Sequence, residues 1–139
     1  MKRIAATIAL VSALALCAAA IAGSPLSGAF NTTIGKGPLG GKVAGPWSLA
    51  FSSPNYTVSY KGAKVAVGTY TTSGGKVTFT DKSGKLACPG SKGVYSYTLN
   101  GRSLKFKVVS DSSAACAGRR AVLAGSFTKK FTAPAGSGY

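Results

Sequence analysis

The chain has very few acidic groups and no histidine. Of its 139 residues, 17 are Lys or Arg and only two are acidic, Asp81 and Asp111; Glu and His are absent. General acid–base catalysis and metal binding draw mainly on His, Asp, Glu and Cys side chains. Most hydrolase and metalloenzyme designs are therefore excluded, whereas a mechanism based on Lys or Tyr is not. We predict a protein that binds rather than catalyses, without a metal or a cofactor.

Long apolar runs are also scarce, and the longest one is at the N-terminus. Residues 1–22 open with Lys2 and Arg3, continue as an uncharged apolar stretch and end on small residues. This is the pattern of a secretory signal peptide, with cleavage after Ala22. An uncleaved membrane anchor is the alternative, but the run is short for a bilayer span. We expect a secreted or periplasmic protein that begins at Gly23.

The rest of the chain has room for one domain with a modest core. Residues 23–44 are rich in Gly, Pro and Ser and show no sustained periodicity, which predicts a flexible arm. The last residues, 131–139, have the composition of a flexible tail. The folded domain is therefore expected to span residues 45–130.

Within that span, short β-branched and aromatic runs are separated by turn residues, and no helical period is visible. This pattern is typical of an all-β protein built from successive antiparallel strands. Because a closed antiparallel barrel needs an even number of strands, we predict about eight, with the eighth from a split run or from part of residues 26–34. Seven runs are visible in the sequence, at residues 46–52, 55–60, 64–72, 76–81, 93–99, 103–109 and 119–130.

Alternation along these runs predicts which side chains face the interior. In the third run Val65 and Val67 are out of phase with Tyr70, so we expect a β-bulge at Gly68 between them. The residues that share the predicted inner face are Trp47, Leu49, Phe51, Tyr56, Val58, Tyr60, Val77, Phe79, Tyr95, Tyr97, Leu99, Leu104, Phe106 and Val108.

The connections between the runs differ in length. Three are tight hairpins with the sequences "SSPN", "SGGK" and "NGRS", whereas two are long, at residues 82–92 and 110–118. In an up-and-down barrel successive turns alternate between the two ends. The tight turns are therefore expected at one end and the long loops at the other.

Cys88 and Cys116 lie in the two long loops, and they are the only cysteines that remain after removal of the signal peptide. The exported compartment permits a disulfide, and the topology brings both loops to the same end. A reactive or metal-binding thiol pair is the alternative, but the chain has no His to activate a thiol or to complete a metal site. We predict a structural disulfide between Cys88 and Cys116.

The chain resembles a known family at this point. The "GPW" that starts the first run, together with "GTYTTSGGKVTFTD", "ACPGSKGVYSYTLNG" and "CAGRRAVLAG", is similar to small secreted bacterial lipocalin-like domains of the calycin type over residues 45–130. The resemblance implies a small antiparallel barrel that binds a ligand. It also implies a barrel-closing cation–π contact between Trp47 and Arg119, with Arg120 as the second choice.

A ligand of such a barrel contacts inward side chains. We expect a small apolar or amphipathic anion as the ligand class, although a barrel of this size is also able to fill itself with its own side chains. The candidate pocket residues are Leu49, Phe51, Tyr56, Val58, Phe79, Tyr97 and Phe106.

Basic residues concentrate near the end with the long loops. Such a rim attracts anions, including an anionic surface, whereas the plainer explanation is that the lysines keep an exported domain soluble. A polyanion-binding or cell-envelope interaction protein without an internal ligand is therefore the alternative function, and no specific nucleic acid is predicted. The residues of this predicted basic rim are Lys61, Lys64, Lys82, Lys85, Lys92 and Arg120.

Overall fold

The protein is a closed eight-stranded antiparallel barrel with up-and-down topology. A computed structural model describes residues 26–37 and 41–130. The connection from β7 to β8 contains a short 3₁₀ turn, Ala114–Cys116, and one helix, α1, Ala117–Leu123. The strands are β1 Gly28–Ile34, β2 Gly45–Ser52, β3 Asn55–Tyr60, β4 Ala63–Ser73, β5 Lys76–Ser83, β6 Lys92–Asn100, β7 Ser103–Ser110 and β8 Ser126–Lys129.

The eighth strand comes from residues 26–34, one of the two sources that the sequence left open. β1 pairs with β2 on one side and with β8 on the other, which closes the barrel. The prediction of a flexible arm over residues 23–44 is therefore wrong for this part, and the barrel starts at Gly28 rather than at residue 45. The sequence hides the strand because Phe30 is its only fully buried residue, whereas Asn31 and Thr33 are exposed and Thr32 is only half-buried.

The last predicted run, residues 119–130, is a helix followed by a short strand. Ala117–Leu123 forms α1, and only Ser126–Lys129 continues as β8. Ala, Arg and Leu are good helix formers, so this segment has a helical preference that its apolar residues conceal. Val122 and Leu123 are buried where α1 packs onto the end of the barrel.

The predicted bulge at Gly68 is confirmed. The register between β4 and β5 shifts between Val67 and Gly68. A Cβ at Gly68 would collide with the backbone carbonyl of Thr80, so a larger residue does not fit at this crossing.

The two ends of the barrel have different connections, as predicted. The hairpin end carries the turns at residues 53–54, 74–75 and 101–102. Among the described residues, the loop end carries the connections at residues 35–37, 41–44, 61–62, 84–91 and 111–125, and α1 lies in the last of these. Among the described residues, no helix is long and apolar enough to cross a membrane.

Aromatic side chains fill the hairpin-end half of the barrel. Phe51 packs edge-on against Phe30 and Tyr70, and Phe106 packs edge-on against Phe79 and Phe127. Edge-to-face packing of this kind adds to the stabilisation from buried area. The predicted inner face is otherwise buried or half-buried except at Val108, which is exposed next to a register shift between β6 and β7.

Candidate functional site

A cavity of about 370 Å³ lies at the loop end, between the barrel and α1. Its wall is formed by strands β2 to β5, the connection after β5 and one face of α1. The deep part is apolar and is lined by Trp47, Leu49, Tyr56, Val58 and Phe79. Its outer part is lined by Lys42, Lys85, Leu86 and Gly118, and the buried Val122 and Leu123 close the cavity from the side of α1.

Helix α1 covers the cavity and is held by a disulfide. Cys116 directly precedes α1, and it is bonded to Cys88 in the connection between β5 and β6. The two Cα atoms are 5.4 Å apart, within the usual range for a disulfide. The predicted Cys88–Cys116 pairing is confirmed, and it joins the connection between β5 and β6 to the start of α1 at the cavity.

Beside the cavity, one arginine binds both acidic residues of the chain. Arg119 on α1 donates from Nε to Asp111 Oδ2 and from Nη2 to Asp111 Oδ1, both at 2.8 Å. Its Nη1 lies 3.6 Å from Asp81 Oδ1 at the cavity wall. Asp81 and Asp111 are 6% and 5% exposed, so this is a buried ion cluster.

Further donors satisfy the two carboxylates. The hydroxyl of Tyr95 donates to Asp111, and the hydroxyl of Tyr56 donates to Asp81. The backbone N–H of Cys88 donates to Asp81 Oδ2 at 2.7 Å. In the described part of the chain, no buried side-chain nitrogen or oxygen lacks a hydrogen-bond partner. A buried ion cluster is tolerated only when its members are satisfied in this way.

Gly93 provides the space for the ion pair. A Cβ at Gly93 would lie 2.8 Å from Asp111 Oδ2 and 3.0 Å from Arg119 Nε. Both distances are shorter than ordinary contacts, so a side chain at this position would displace the two charged groups. Position 93, near the start of β6, therefore requires glycine because the ion cluster lies directly against the backbone there.

The contacts in the cluster shift the pKa values of its members. Burial by itself raises the pKa of Asp111, but hydrogen bonds from Arg119 and Tyr95 outweigh it, so the pKa lies below its usual value. Burial lowers the pKa of Arg119, but Asp111 outweighs this effect and the pKa is raised. Burial, with the bond to Asp111, raises the pKa of Tyr95. The Arg119–Asp111 pair is therefore ionised and Tyr95 is protonated at neutral pH.

We expect the free energy of unfolding to be constant from pH 7 to about pH 4 and to fall below that. An unfolded Asp has a pKa of about 3.9, and the pKa of folded Asp111 is lower. Ionised Asp111 therefore makes its full contribution to the free energy of unfolding above the unfolded pKa. This contribution is lost as the pH falls through the folded pKa. Urea unfolding at a series of pH values measures this, and Asp111→Asn should flatten the acid slope. A cooperative loss of near-UV circular dichroism above pH 4 would contradict it.

The predicted contact between Trp47 and Arg119 does not form. Arg119 points into the carboxylate cluster, and the Trp47 ring stacks on Tyr60 with 4.5 Å between ring centroids. Trp47 Nε1 donates to the carbonyl of Val43 at 2.8 Å. Two buried carboxylates attract a guanidinium more strongly than an aromatic face does, which explains the difference. Both residues nevertheless line the cavity.

The second-choice arginine, Arg120, is also bound to the protein. Its Nη1 donates to the backbone carbonyls of Asp111 and Ser113, both at 2.6 Å. These carbonyls are neutral, and the charge of Arg120 also acts on the nearby Asp111 carboxylate. The bonds of Arg120 fix the chain where β7 leads into the 3₁₀ turn.

Four of the seven predicted pocket residues lie in the cavity wall, and three do not. Leu49, Tyr56, Val58 and Phe79 line the cavity. The others pack in or against the aromatic core and do not line the cavity; these are Phe51, Tyr97 and Phe106. Sequence alternation identifies the inner face of a strand but not the level along the barrel axis at which the interior is open.

The predicted basic rim lies at the loop end, but only Lys85 lines the cavity. Lys64, Lys82 and Lys92 are exposed at the loop-end termini of their strands, and Lys61 lies in the turn between β3 and β4, over the Tyr60 ring. The second cavity lysine, Lys42, was not predicted because it lies in the presumed arm.

Asp81 and Asp111 were also not predicted from the sequence as parts of the site. The available signal was their scarcity, because two acidic groups in a strongly basic chain are expected to be paired. The described residues contain no group of three or more side chains able to hold a metal ion.

Fold and site together define a small antiparallel barrel with a helix-covered, mainly apolar cavity at one end. Comparison with known proteins found no matching family model, curated protein or solved structure. The likeness to lipocalins therefore rests on the closed eight-stranded up-and-down barrel itself.

Proposed function

We propose that the protein is a lipocalin-like binding protein, exported after removal of residues 1–22, that holds a small amphipathic anion in the loop-end cavity. The observation that carries the proposal is an apolar cavity of about 370 Å³ whose outer wall contains two lysines. Binding cavities for small molecules usually have volumes of about 300–1,000 Å³. The volume is therefore suited to a ligand of the size of a medium-chain fatty acid.

The deep part of the cavity suits an alkyl chain. Trp47, Leu49 and Phe79 form its wall, and Val122 closes it from the side of α1. Burial of each methylene group contributes about 0.8 kcal/mol. Asp81 is the carboxylate in the wall, but Tyr56, Cys88 and Arg119 already satisfy it, so it requires no cationic ligand.

The outer part of the cavity suits an anionic head group. Lys42 and Lys85 line it and are exposed. No acidic side chain competes for them, because both acidic residues of the chain are buried beside Arg119. An amphipathic anion therefore binds with its tail against Trp47 and Leu49 and its charged group near the two lysines.

Decanoate is expected to bind at one molecule per protein, and Gly118→Phe is expected to weaken its binding about tenfold or more. Gly118 lies on α1 in the outer wall, and a Cβ there would meet nothing within 4 Å. The position therefore has room for a side chain, and we expect a phenyl group there to occupy the ligand's path. Gly is a poor helix former, so the replacement does not cost helix stability. Isothermal titration calorimetry measures the affinity, with thermal unfolding as the check on folding.

Gly118→Ser is the matched control, because it changes the same position without filling the cavity. It should bind decanoate as the native protein does. Decanol tests the head group: Lys42→Gln with Lys85→Gln should weaken decanoate binding and leave decanol binding unchanged. Equal affinity of the native protein and a folded Gly118→Phe variant for decanoate would contradict binding in this cavity.

Salt dependence separates this function from the alternative of polyanion binding. A polyanion held by many lysines releases counterions, so its affinity falls steeply and log-linearly with salt. For decanoate the apolar contribution survives added salt and only the attraction of the head group is screened. Tight heparin binding with a steep salt slope and no decanoate binding would favour the alternative.

A further inference from the structure

The exposed large apolar side chains of the described residues are all near the loop end. Leu86 is 50% exposed in the outer wall of the cavity, and Val108 and Val109 are 51% and 52% exposed near the end of β7. Apolar side chains that gather at one end of a small protein mark an interaction surface more often than scattered ones do. The cavity opens at this same end.

Cationic side chains also concentrate there. Four basic residues lie at the hairpin end, namely Lys76, Arg102, Lys129 and Lys130, and two more lie along β7, Lys105 and Lys107. Leaving aside Arg119, which is buried in the ion cluster, the cations at the loop end are Lys36, Lys42, Lys61, Lys64, Lys82, Lys85, Lys92 and Arg120.

No surface carboxylate of the described residues offsets these cations. Asp81 and Asp111 are the only acidic side chains of the whole chain, and both are buried against Arg119. The ion cluster therefore removes both negative charges from the surface. The loop end presents exposed lysines around exposed apolar side chains.

We propose that the loop end docks on an anionic lipid bilayer and that the amphipathic ligand passes between the bilayer and the cavity there. Lysines bind the lipid phosphates, while Leu86, Val108 and Val109 enter the headgroup region. This combination of apolar and basic side chains is what an interfacial membrane contact uses. A soluble polyanion has no apolar layer and leaves the three exposed side chains without a role. The transfer of ligand rests on the proposed function, but the docking does not.

Cosedimentation with vesicles tests the docking and its location. We expect binding to vesicles of phosphatidylglycerol and phosphatidylcholine and none to phosphatidylcholine alone. Each lysine near an anionic surface contributes about fivefold to the partition coefficient. The loop-end variant Lys64→Gln, Lys82→Gln, Lys92→Gln should therefore bind about 100-fold more weakly. The hairpin-end variant Lys76→Gln, Lys129→Gln, Lys130→Gln removes the same charge and should lose about fivefold or less.

The apolar contact has its own test. Leu86→Ser with Val109→Ser should weaken vesicle binding about tenfold because buried apolar area is lost. The same variant should bind heparin as the native protein does, since heparin binding depends on charge alone. Near-UV circular dichroism checks that each variant is folded.

The outcomes separate the docking from the proposed function. Each of three results would overturn the docking. These are an equal loss of vesicle binding in the two lysine variants, an unchanged affinity for vesicles in the Leu86→Ser, Val109→Ser variant, and no binding of the native protein to anionic vesicles. Decanoate titration is independent of these measurements. Vesicle binding as expected without decanoate binding would support the docking and contradict the proposed ligand. Decanoate binding without vesicle binding would support the proposed ligand and contradict the docking.

Discussion

Replacement of Arg119 by Met is expected to lower the free energy of unfolding by about 3–5 kcal/mol. The Arg119 side chain is 8% exposed and forms the bidentate pair with Asp111. Methionine fills much of the same volume but leaves two buried carboxylates without a cation. Loss of one partner from a buried ion pair is costly because the remaining charge stays desolvated. Urea unfolding measures the change.

Two variants serve as controls for this result. Arg119→Lys keeps the charge but loses the planar fork that binds Asp111 through two bonds, so an intermediate loss is expected. Lys107→Met changes an exposed position on β7 and should alter stability by about 0.5 kcal/mol or less. A loss of less than about 1 kcal/mol in Arg119→Met would contradict a stabilising role of the ion cluster.

The pH dependence of the Arg119→Met variant gives an independent check. Without Arg119, we expect burial to outweigh the remaining hydrogen bond from Tyr95 and the charge of Arg120, so that the pKa of Asp111 moves above its unfolded value. When the folded pKa is the higher of the two, the variant has its full free energy of unfolding below the unfolded pKa. Part of this free energy is lost as the pH rises through the folded pKa. The variant should therefore become more stable on acidification from neutral pH, whereas the native protein should not.

Removal of the disulfide through Cys88→Ser with Cys116→Ser is expected to cost about 3.6 kcal/mol. The bridge closes a loop with a sequence separation of 28 residues, and the chain-entropy relation gives this value for such a loop. The unfolded state also expands when the link is absent, so the denaturant m-value should rise. Urea unfolding of the double variant and of the native protein measures both quantities.

Reduction of the native protein is the matched control, because it breaks the same bond without changing the sequence. It should reproduce the stability of the double variant. The bridge also fixes the start of α1, so decanoate affinity is expected to fall in both samples when they remain folded. Free thiols in the oxidised, folded protein, or unchanged stability after reduction, would contradict this account.

Most of the barrel could be predicted from the sequence because its strands alternate strongly. In β5, Thr78 separates the buried Val77 and Phe79, and in β6, Ser96 separates the buried Tyr95 from the half-buried Tyr97. The bulge at Gly68 was visible as a change of phase, and the disulfide followed from loop lengths and topology. These features depend on local pattern and connectivity, which the sequence contains.

The remaining features depend on tertiary contacts. β1 has a single fully buried side chain, Phe30, and its pairing with β2 and β8 supplies the rest of its stability. Most of helix α1 lies in the run predicted as a strand, because Val122 and Leu123 are apolar and adjacent, which suits either structure.

The candidate site was predicted in part for the same reason. Leu49 and Val58 were identified as inward residues, but Lys42 and Gly118 enter the cavity wall from a connection and from α1, whose positions the strand pattern does not contain. Arg119 was assigned to Trp47 by resemblance. Its actual partners, Asp81 and Asp111, are distant in sequence from each other and meet only in the folded barrel.

Fluorescence of Trp47 during a decanoate titration tests the central claim most directly. Trp47 is the only tryptophan of the chain and lies in the cavity wall, so its emission responds to a ligand in this cavity, and the Gly118→Phe variant ties the response to it. We predict a saturable change in emission at one decanoate per protein that is absent in the folded Gly118→Phe variant and present in Gly118→Ser. Unchanged Trp47 emission up to concentrations at which decanoate forms micelles, with no heat of binding, would contradict the claim that this cavity binds an amphipathic anion.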